Sequence, residues 1–192
     1  MNRECKKIII FDLDGTLIRN CTANKLYEEG YLRTIAELEK SGRQIPGYLK
    51  KHSYENFCRL SQDIKEMYEI FKEKYLQVLK ENKIEIEKEK PRARKIIELT
   101  ISKYNPKEIY ILSANPHANY ISKILVPCMP DNNILTVEGI NYYQKEKVLQ
   151  SLKKSQNGTT EIIYIGDLEW DGEIAENVGV KFLNIKEIEN VL

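Results

Sequence analysis

Short runs of apolar residues recur along the chain, and their length and composition are typical of buried β-strands. The runs cover residues 8–10, 109–112, 162–165 and 180–183, with a weaker candidate at 134–137. Most of them are rich in branched or aromatic side chains, which favour strands. The pattern therefore predicts four buried strands and a weaker fifth.

Helical patterns separate these runs and indicate the class of fold. Pro91 marks the start of one helix, because proline is favoured at the first helical position. Residues 146–152 carry apolar side chains at helical spacing and predict another helix. The alternation of strand and helix predicts an α/β protein whose core is a Rossmann-like parallel sheet flanked by helices on both faces. In such folds, ligands bind outside the carboxyl ends of the strands.

The stretch from residue 19 to residue 90 breaks this alternation, since it contains helical patterns and no convincing strand. Its apolar residues recur at spacings of three and four, as on one face of an amphipathic helix: Ile64, Met67, Tyr68, Phe71, Tyr75 and Leu79. A coiled coil is the less favoured alternative, because the pattern lasts for too few heptads. We expect residues 19–90 to form an inserted helical module, with 85–90 as its return linker. Residues 1–18 and 91–192 would form the core.

Composition and charge exclude several classes of protein. With 192 residues, 42% hydrophobic and 31% charged, the chain has the composition of a globular protein with one core and a small accessory module. The 30 basic and 29 acidic residues give a net charge of +1, which provides no footprint for nucleic acid or an anionic membrane. The four cysteines form no CxxC pair, so neither a zinc site nor a disulfide framework is indicated.

The sequence contains neither a membrane-span pattern nor a secretory signal. Its apolar runs fall far short of the roughly 20 residues that a spanning helix needs. The first residues, Met-Asn-Arg-Glu-Cys, begin no apolar segment. We therefore expect a cytoplasmic protein whose partners include neither nucleic acid nor membrane. The oligomeric state is left open.

The first candidate for chemistry follows the first apolar run. Asp12 and Asp14 stand two residues apart at the end of a predicted strand, where alternate side chains point the same way. Two carboxylates that close repel each other unless a divalent metal, a lysine or a shared proton joins them. Gly15 then allows a sharp turn of the backbone, and Thr16 places a hydroxyl beside the pair.

Polar residues also follow the later strands. Ser113 and Asn115 come after one apolar run, and Asp167 and Asp171 come after another. Lys145 precedes the predicted helix between them. Because the carboxyl ends of parallel strands share one edge of the sheet, we expect these side chains to converge there. Carboxylates suit a hard cation such as magnesium, and a lysine neutralises phosphate oxygens.

These residues resemble the four motifs of the haloacid dehalogenase superfamily of aspartate-nucleophile phosphohydrolases, in the same order along the chain. Residues 12–16 match the first motif, DxDGT, and Ser113 in Ile-Leu-Ser-Ala-Asn matches the second. Lys145 is the preferred match to the lysine of the third motif, and Lys147 is the less favoured one. Residues 166–171, Gly-Asp-Leu-Glu-Trp-Asp, match the acidic fourth motif. The resemblance covers nearly the whole predicted core.

The resemblance implies a role for each of the acids. Asp12 would be the nucleophile and form an aspartyl-phosphate, while Asp14 would protonate the leaving oxygen and later take a proton from water. A magnesium ion, Mg2+, would be held by the side chains of Asp12 and Asp167 and by the backbone carbonyl of Asp14. Asp171 would orient the ion's ligand shell or its waters.

The resemblance also implies which residues hold the transferred group. Thr16, Ser113 and Lys145 would bind the phosphoryl oxygens, whose charge must be stabilised during transfer. Asn115 would line the same pocket.

The inserted module, residues 19–90, looks like the helical cap that members of this superfamily insert just after the first motif. Such a cap closes over the site and excludes water, and it implies a small phosphorylated metabolite as the partner. Loops of the cap, for example near residues 43–51, would read the substrate. The sequence does not identify that molecule.

The reaction that the resemblance implies is that of a phosphoric monoester hydrolase. Asp14 favours phosphate esters, because dehalogenases and phosphonatases of the superfamily usually lack an acid two residues after the nucleophile. Two alternatives stay open. One is a phosphomutase, which shares every catalytic residue, and the other is a phosphoacceptor module that does not turn over.

Overall fold

A parallel β-sheet forms the centre of the computed structural model, which describes residues 6–137, 143–156 and 160–190. Residues 1–5, on which the expectation of no secretory signal rests, lie outside the described residues. Within the described ranges five strands pair in parallel in the order β3-β2-β1-β4-β5. The strands are β1 (Lys6–Phe11), β2 (Glu108–Ser113), β3 (Ile134–Thr136), β4 (Thr160–Gly166) and β5 (Lys181–Asn184). The predicted α/β class and parallel sheet are confirmed, including the weaker strand.

Helices flank this sheet and also form a segment of their own. The first four are α1 (Asn20–Lys40), α2 (Tyr54–Asp63), α3 (Met67–Glu81) and α4 (Lys83–Glu87). The later ones are α5 (Lys90–Tyr104), α6 (Ala118–Leu125), α7 (Tyr143–Ser155), α8 (Glu169–Val178) and α9 (Ile185–Glu189). Among the described residues, no helix has both the length and the apolar character that crossing a bilayer requires.

The chain divides into two compact units. One comprises Met1–Asn20 and Glu87–Leu192 and contains the sheet, and the other is the helical unit Cys21–Ile86. In the sheet unit, Ile9, Ile10 and Phe11 of the central strand are fully buried. A parallel strand with both faces covered carries apolar residues at successive positions, which is why this run shows no alternation with polar ones.

Stacked aromatic side chains fill the core of the helical unit. Tyr27 lies 4.6 Å from Tyr75, Phe71 lies 5.3 Å from Tyr75, and Phe57 meets Phe71 edge-on at 4.7 Å between ring centroids. We call these four residues the aromatic cluster. Such pairs add about 0.5–1.5 kcal/mol each beyond the burial of their area.

Two expectations about this helical segment are wrong in detail. Ile64 does not belong to the amphipathic helix, because its backbone is extended and ends α2, and α3 begins at Met67. Ile64 is nevertheless buried, so it satisfies the hydrophobic pattern from outside the helix. The expected linker over residues 85–90 is largely helical, since α4 extends to Glu87 and α5 starts at Lys90.

Candidate active site

The carboxyl ends of β1, β2 and β4 lie side by side at the centre of the sheet. In the register of the strands, Phe11 is level with Ile111 on one side and with Ile165 on the other. The backbone N–H of Asp12 donates to the carbonyl of Ile165 at 2.8 Å, so the pairing with β4 continues one residue beyond β1. The residues that follow these strands therefore come together at one edge, as the sequence predicts.

The loop after β1 is a tight turn that depends on Gly15. Its φ is +84°, a left-handed backbone conformation that is strained for any residue with a Cβ atom. The Gly15 N–H donates to the carbonyl of Ile18 at 2.7 Å and closes the turn. A Cβ at Gly15 would also collide with the carboxylate of Asp167. Glycine is needed here for the turn and for the approach of that acid.

Lys145 is a buried lysine that joins two acids. Its Nζ donates to Asp12 Oδ1 at 2.7 Å and to Asp171 Oδ1 at 3.2 Å. The residue is 1% exposed, although lysine is among the side chains least often buried, and then only with partners. The alternative, Lys147, is exposed. The structure therefore places Lys145, and not Lys147, at the first acid of the DxDGT motif.

Three carboxylates meet around this lysine. Asp12, Asp167 and Asp171 each offer an oxygen within 4.8 Å of the other two. We call these three acids and Lys145 the charged cluster. A Cβ at Gly166 would collide with the Asp171 side chain, so this glycine too makes room for an acid.

The charged cluster fits a divalent cation. Considering only described residues, Asp167 Oδ1 is buried without a hydrogen-bond partner, while its Oδ2 accepts from Asn20 Nδ2 at 2.7 Å. A buried carboxylate oxygen without a donor is costly unless a cation binds it. Lys145 offsets one of the three negative charges, and oxygen ligands are those that magnesium prefers.

Burial and mutual repulsion shift the ionisation of the cluster. Burial raises the pKa of the Asp12 carboxyl, and the charge of Asp171 adds to the rise, although Lys145 opposes it. Burial also raises the pKa of Asp167. Burial alone would lower the pKa of Lys145, but Asp12, Tyr164 and Asp171 outweigh it and raise that pKa, so the lysine stays charged. A divalent cation among these acids would favour their ionised forms.

The predicted phosphate-binding residues surround the same edge. Thr16 Oγ1 is buried and, among the described residues, has no hydrogen-bond partner. Ser113 ends β2, and its Oγ accepts from the Asn115 backbone N–H at 3.0 Å. Asn115 turns its side-chain amide to Asp14, with Nδ2 at 3.1 Å from Oδ2. The structure thus links Asn115 directly to Asp14.

Asp14 lies beside the charged cluster and differs from its members. The residue is half-buried, and it is not among the three acids whose oxygens converge within 4.8 Å. The predicted metal contact of Asp14 is through its backbone carbonyl, and this stays a prediction.

Sequence reasoning missed three residues of the site. Tyr164 of β4 donates from its hydroxyl to Asp171 Oδ1 at 2.7 Å. Asn20 binds Asp167, and Arg92 of α5 donates to the backbone carbonyl of Thr16 at 2.8 Å. The signal for Tyr164 is a phenol in a strand of isoleucines, two residues before Gly166. Asn20 and Arg92 belong to no motif, so the sequence carries no comparable signal for them.

Comparison with known proteins identifies the fold. No profile of a known protein family matches the sequence, and no curated protein matches it. A haloacid dehalogenase-like family hydrolase from Streptococcus pneumoniae is similar in structure over 94% of this chain and 84% of its own, with a TM-score of 0.55 and 19% identity. Protein Tyrosine Kinase A of Mycobacterium tuberculosis matches over 94% and 84%, with a TM-score of 0.50 and 16% identity. At these identities the likeness shows the fold, and the chain has the haloacid dehalogenase-like fold.

Proposed function

We propose that the protein is a magnesium-dependent phosphatase that hydrolyses a small phosphomonoester through an aspartyl-phosphate intermediate. The observation that carries the proposal is the charged cluster, in which Asp12 shares a buried lysine with Asp171 and lies within 4.8 Å of two other acids. Phosphoryl transfer requires a nucleophile, cationic groups for the phosphoryl oxygens and a proton donor for the leaving group. The shared fold with a haloacid dehalogenase-like hydrolase supports this reaction class.

In the first half of the reaction, an Asp12 oxygen attacks phosphorus in line with the leaving group. Lys145 Nζ donates to Oδ1 of Asp12, and we assign the attack to Oδ2. The new bond joins this oxygen to phosphorus while the ester bond between phosphorus and the leaving oxygen breaks. Asp14 gives its proton to that oxygen, and the amide of Asn115 holds the Asp14 side chain in place.

In the second half, water displaces Asp12 from phosphorus. A water molecule attacks phosphorus, the bond from phosphorus to the Asp12 oxygen breaks, and inorganic phosphate leaves. Asp14, which lost its proton in the first half, takes one from the attacking water. Asp12 and Asp14 thereby return to their starting states.

The phosphoryl oxygens carry charge that the site must neutralise. The Lys145 ammonium and the hydroxyls of Thr16 and Ser113 would bind these oxygens, and the buried Thr16 Oγ1 has no partner among described residues. Asp12 and Asp167, with the carbonyl of Asp14, would hold Mg2+, and Asp171 would orient its ligands. When bound, the ion supplies positive charge next to the phosphoryl oxygens.

The helical unit Cys21–Ile86 is proposed to be the cap that selects the substrate. It is inserted in the sequence between the first motif and the rest of the core, where such a cap is expected. A cap that excludes water favours a small soluble ester.

The test is the release of inorganic phosphate from a broad panel of phosphomonoesters, with and without Mg2+. The variants are Asp12→Asn and, as a matched control, Asp131→Asn, which changes an exposed acid that pairs with Lys123. We expect magnesium-dependent release by the wild type and the control, and none by Asp12→Asn. Phosphate release that persists in Asp12→Asn would contradict the assignment of Asp12 as the nucleophile. A bisphosphate intermediate would indicate a phosphomutase, and a stable adduct without release would indicate a phosphoacceptor module.

A further inference from the structure

Tyr164 places a neutral hydroxyl inside the charged cluster. The hydroxyl donates to Asp171 Oδ1 at 2.7 Å and accepts from Lys145 Nζ at 3.2 Å. The side chain is fully buried, and its ring lies 6.3 Å from that of Phe182. A hydroxyl at this depth is costly to leave unpaired, so its two contacts are strongly held.

The lengths of the contacts indicate which partners belong together. Lys145 Nζ is 2.7 Å from Asp12 Oδ1 and 3.2 Å from Asp171 Oδ1. Asp171 Oδ1 is closer to the Tyr164 hydroxyl than to the lysine. Shorter hydrogen bonds to charged groups are the stronger ones. Tyr164 is therefore the main hydrogen-bond donor to Asp171 Oδ1, and Asp12 is the main acceptor for the Lys145 ammonium.

We infer that Tyr164 is a positioning residue. Its hydroxyl donates a hydrogen bond to Asp171 and thereby keeps the Lys145 ammonium beside Asp12. Without the hydroxyl, Asp171 loses its nearer donor and draws the ammonium away from the nucleophile. The inference rests on the proposed function, because only phosphoryl transfer to Asp12 gives the position of Lys145 a catalytic consequence. Developing charge in the transition state then loses stabilisation, whereas ground-state binding of the ester changes less.

The first test is structural and requires no activity. Crystal structures of the wild type and Tyr164→Phe, grown without metal, are compared at Lys145. Phenylalanine keeps the ring and its packing near Phe182 and removes only the hydroxyl. We expect Nζ to move toward Asp171 and its distance to Asp12 to lengthen beyond hydrogen-bonding range. An unmoved Nζ would overturn the inference, even if the protein proves to be a phosphatase.

The second test is kinetic and uses Tyr110→Phe as a matched control. Tyr110 and Tyr164 are both level with Ile10, one on each neighbouring strand, and the Tyr110 hydroxyl donates to Glu108 rather than to the cluster. With the best ester of the panel, we expect kcat of Tyr164→Phe to fall about tenfold and KM to change less than about twofold. Tyr110→Phe should leave both unchanged. Equal losses in the two variants would overturn the inference.

A double-mutant cycle tests whether Tyr164 acts through Lys145. In a Lys145→Met background, Tyr164→Phe should cost nothing further in kcat, because there is no ammonium left to position. A further tenfold loss would show that the hydroxyl acts by another route and would overturn the inference. If the wild type releases no phosphate from any ester, the proposed function fails and the crystallographic comparison still decides about Tyr164.

Discussion

The charged cluster and the aromatic cluster bury large side chains by opposite means. In the sheet unit, Asp12, Asp171 and Lys145 are each no more than 4% exposed and compensate one another's charge only in part. In the helical unit, the buried ring of Phe71 packs edge-on against Phe57 and stacks on Tyr75, so apolar ring faces cover one another.

This difference separates residues kept for chemistry from residues kept for stability. Burying the carboxylates of Asp12 and Asp171 beside a single lysine is costly, because each charge loses its hydration and one ammonium compensates only one of them. Burying an aromatic ring is favourable, by about 2–3 kcal/mol for each large side chain from the buried area alone. Variants of the acids in the charged cluster should therefore lose activity without losing stability, and variants of the aromatic cluster should lose stability first.

The largest effect is expected from Asp12→Asn. Removing the nucleophile should lower phosphate release at least about a thousandfold. The free energy of unfolding should fall by less than about 1 kcal/mol, because one of several like charges is removed and Lys145 keeps Asp171 as a partner. Turnover and urea unfolding of the same preparation check both statements. A large loss of stability would erase the distinction between the two clusters.

Phe71→Ala should have the opposite profile. The side chain is 1% exposed within the aromatic cluster, and truncating such a ring costs about 3–5 kcal/mol. The exposed Tyr48 of the same unit is the control, since Tyr48→Ala should change the free energy of unfolding by no more than about 0.5 kcal/mol. Urea unfolding measures both. Equal effects of the two substitutions would mean that burial in this cluster does not stabilise the unit.

Asp167→Asn separates metal binding from nucleophilic attack within the charged cluster. It leaves the nucleophile intact and removes an acid whose buried Oδ1 has no hydrogen-bond partner among the described residues. We expect the Mg2+ concentration for half-maximal rate to rise about tenfold or more, with unfolding unchanged. Asp131→Asn is again the matched control. An unchanged magnesium requirement would remove Asp167 from the proposed metal ligands.

The smallest effect is a pH dependence in the helical unit. Burial lowers the pKa of His52, which lies beside Tyr27 and Tyr31, although Glu28 opposes the shift. The unfolded chain therefore binds the proton more readily, and stability should fall as pH drops below the unperturbed pKa of about 6.5. It should level off below the folded-state pKa.

The variant His52→Phe tests this dependence. It keeps an aromatic ring beside Tyr27 and cannot titrate, so its urea midpoint should fall less than that of the wild type between pH 7.5 and pH 5.5, about the range in which histidine titrates. The other histidine, His117, lies in the sheet unit and is unchanged in both proteins. An equal fall of the urea midpoint in the two proteins would show that His52 gives the helical unit no pH dependence.

Much of the fold could be predicted because strands leave strong signals. A parallel strand in the middle of a sheet is a short apolar run, and each predicted run reappears as a strand within a residue or two of its expected ends. The edge strand β5 differs from the expectation of burial, since none of its four residues is buried. Convergence of Asp12, Lys145 and Asp167 could be anticipated because parallel strands end at one edge.

The missed features have physical reasons. Ile64 fits the helical spacing because it is buried, and hydrophobic spacing records burial rather than backbone continuity. Tyr164 fits the apolar strand pattern because its ring packs in the core of the sheet unit, while only its hydroxyl reaches the charges. Asn20 reaches Asp167 across 147 positions of sequence, a contact that no local pattern encodes.

Trapping the adduct in Asp14→Asn would show whether Asp12 carries the phosphoryl group. With an aryl phosphate whose leaving group needs no protonation, attack by Asp12 should proceed, while hydrolysis should stall without the base. Acid quenching, proteolysis and mass spectrometry should then find a phosphoryl group on the peptide that contains Asp12, and none in Asp12→Asn. A phosphoryl group on another residue, or free phosphate released without any adduct on Asp12, would contradict the account.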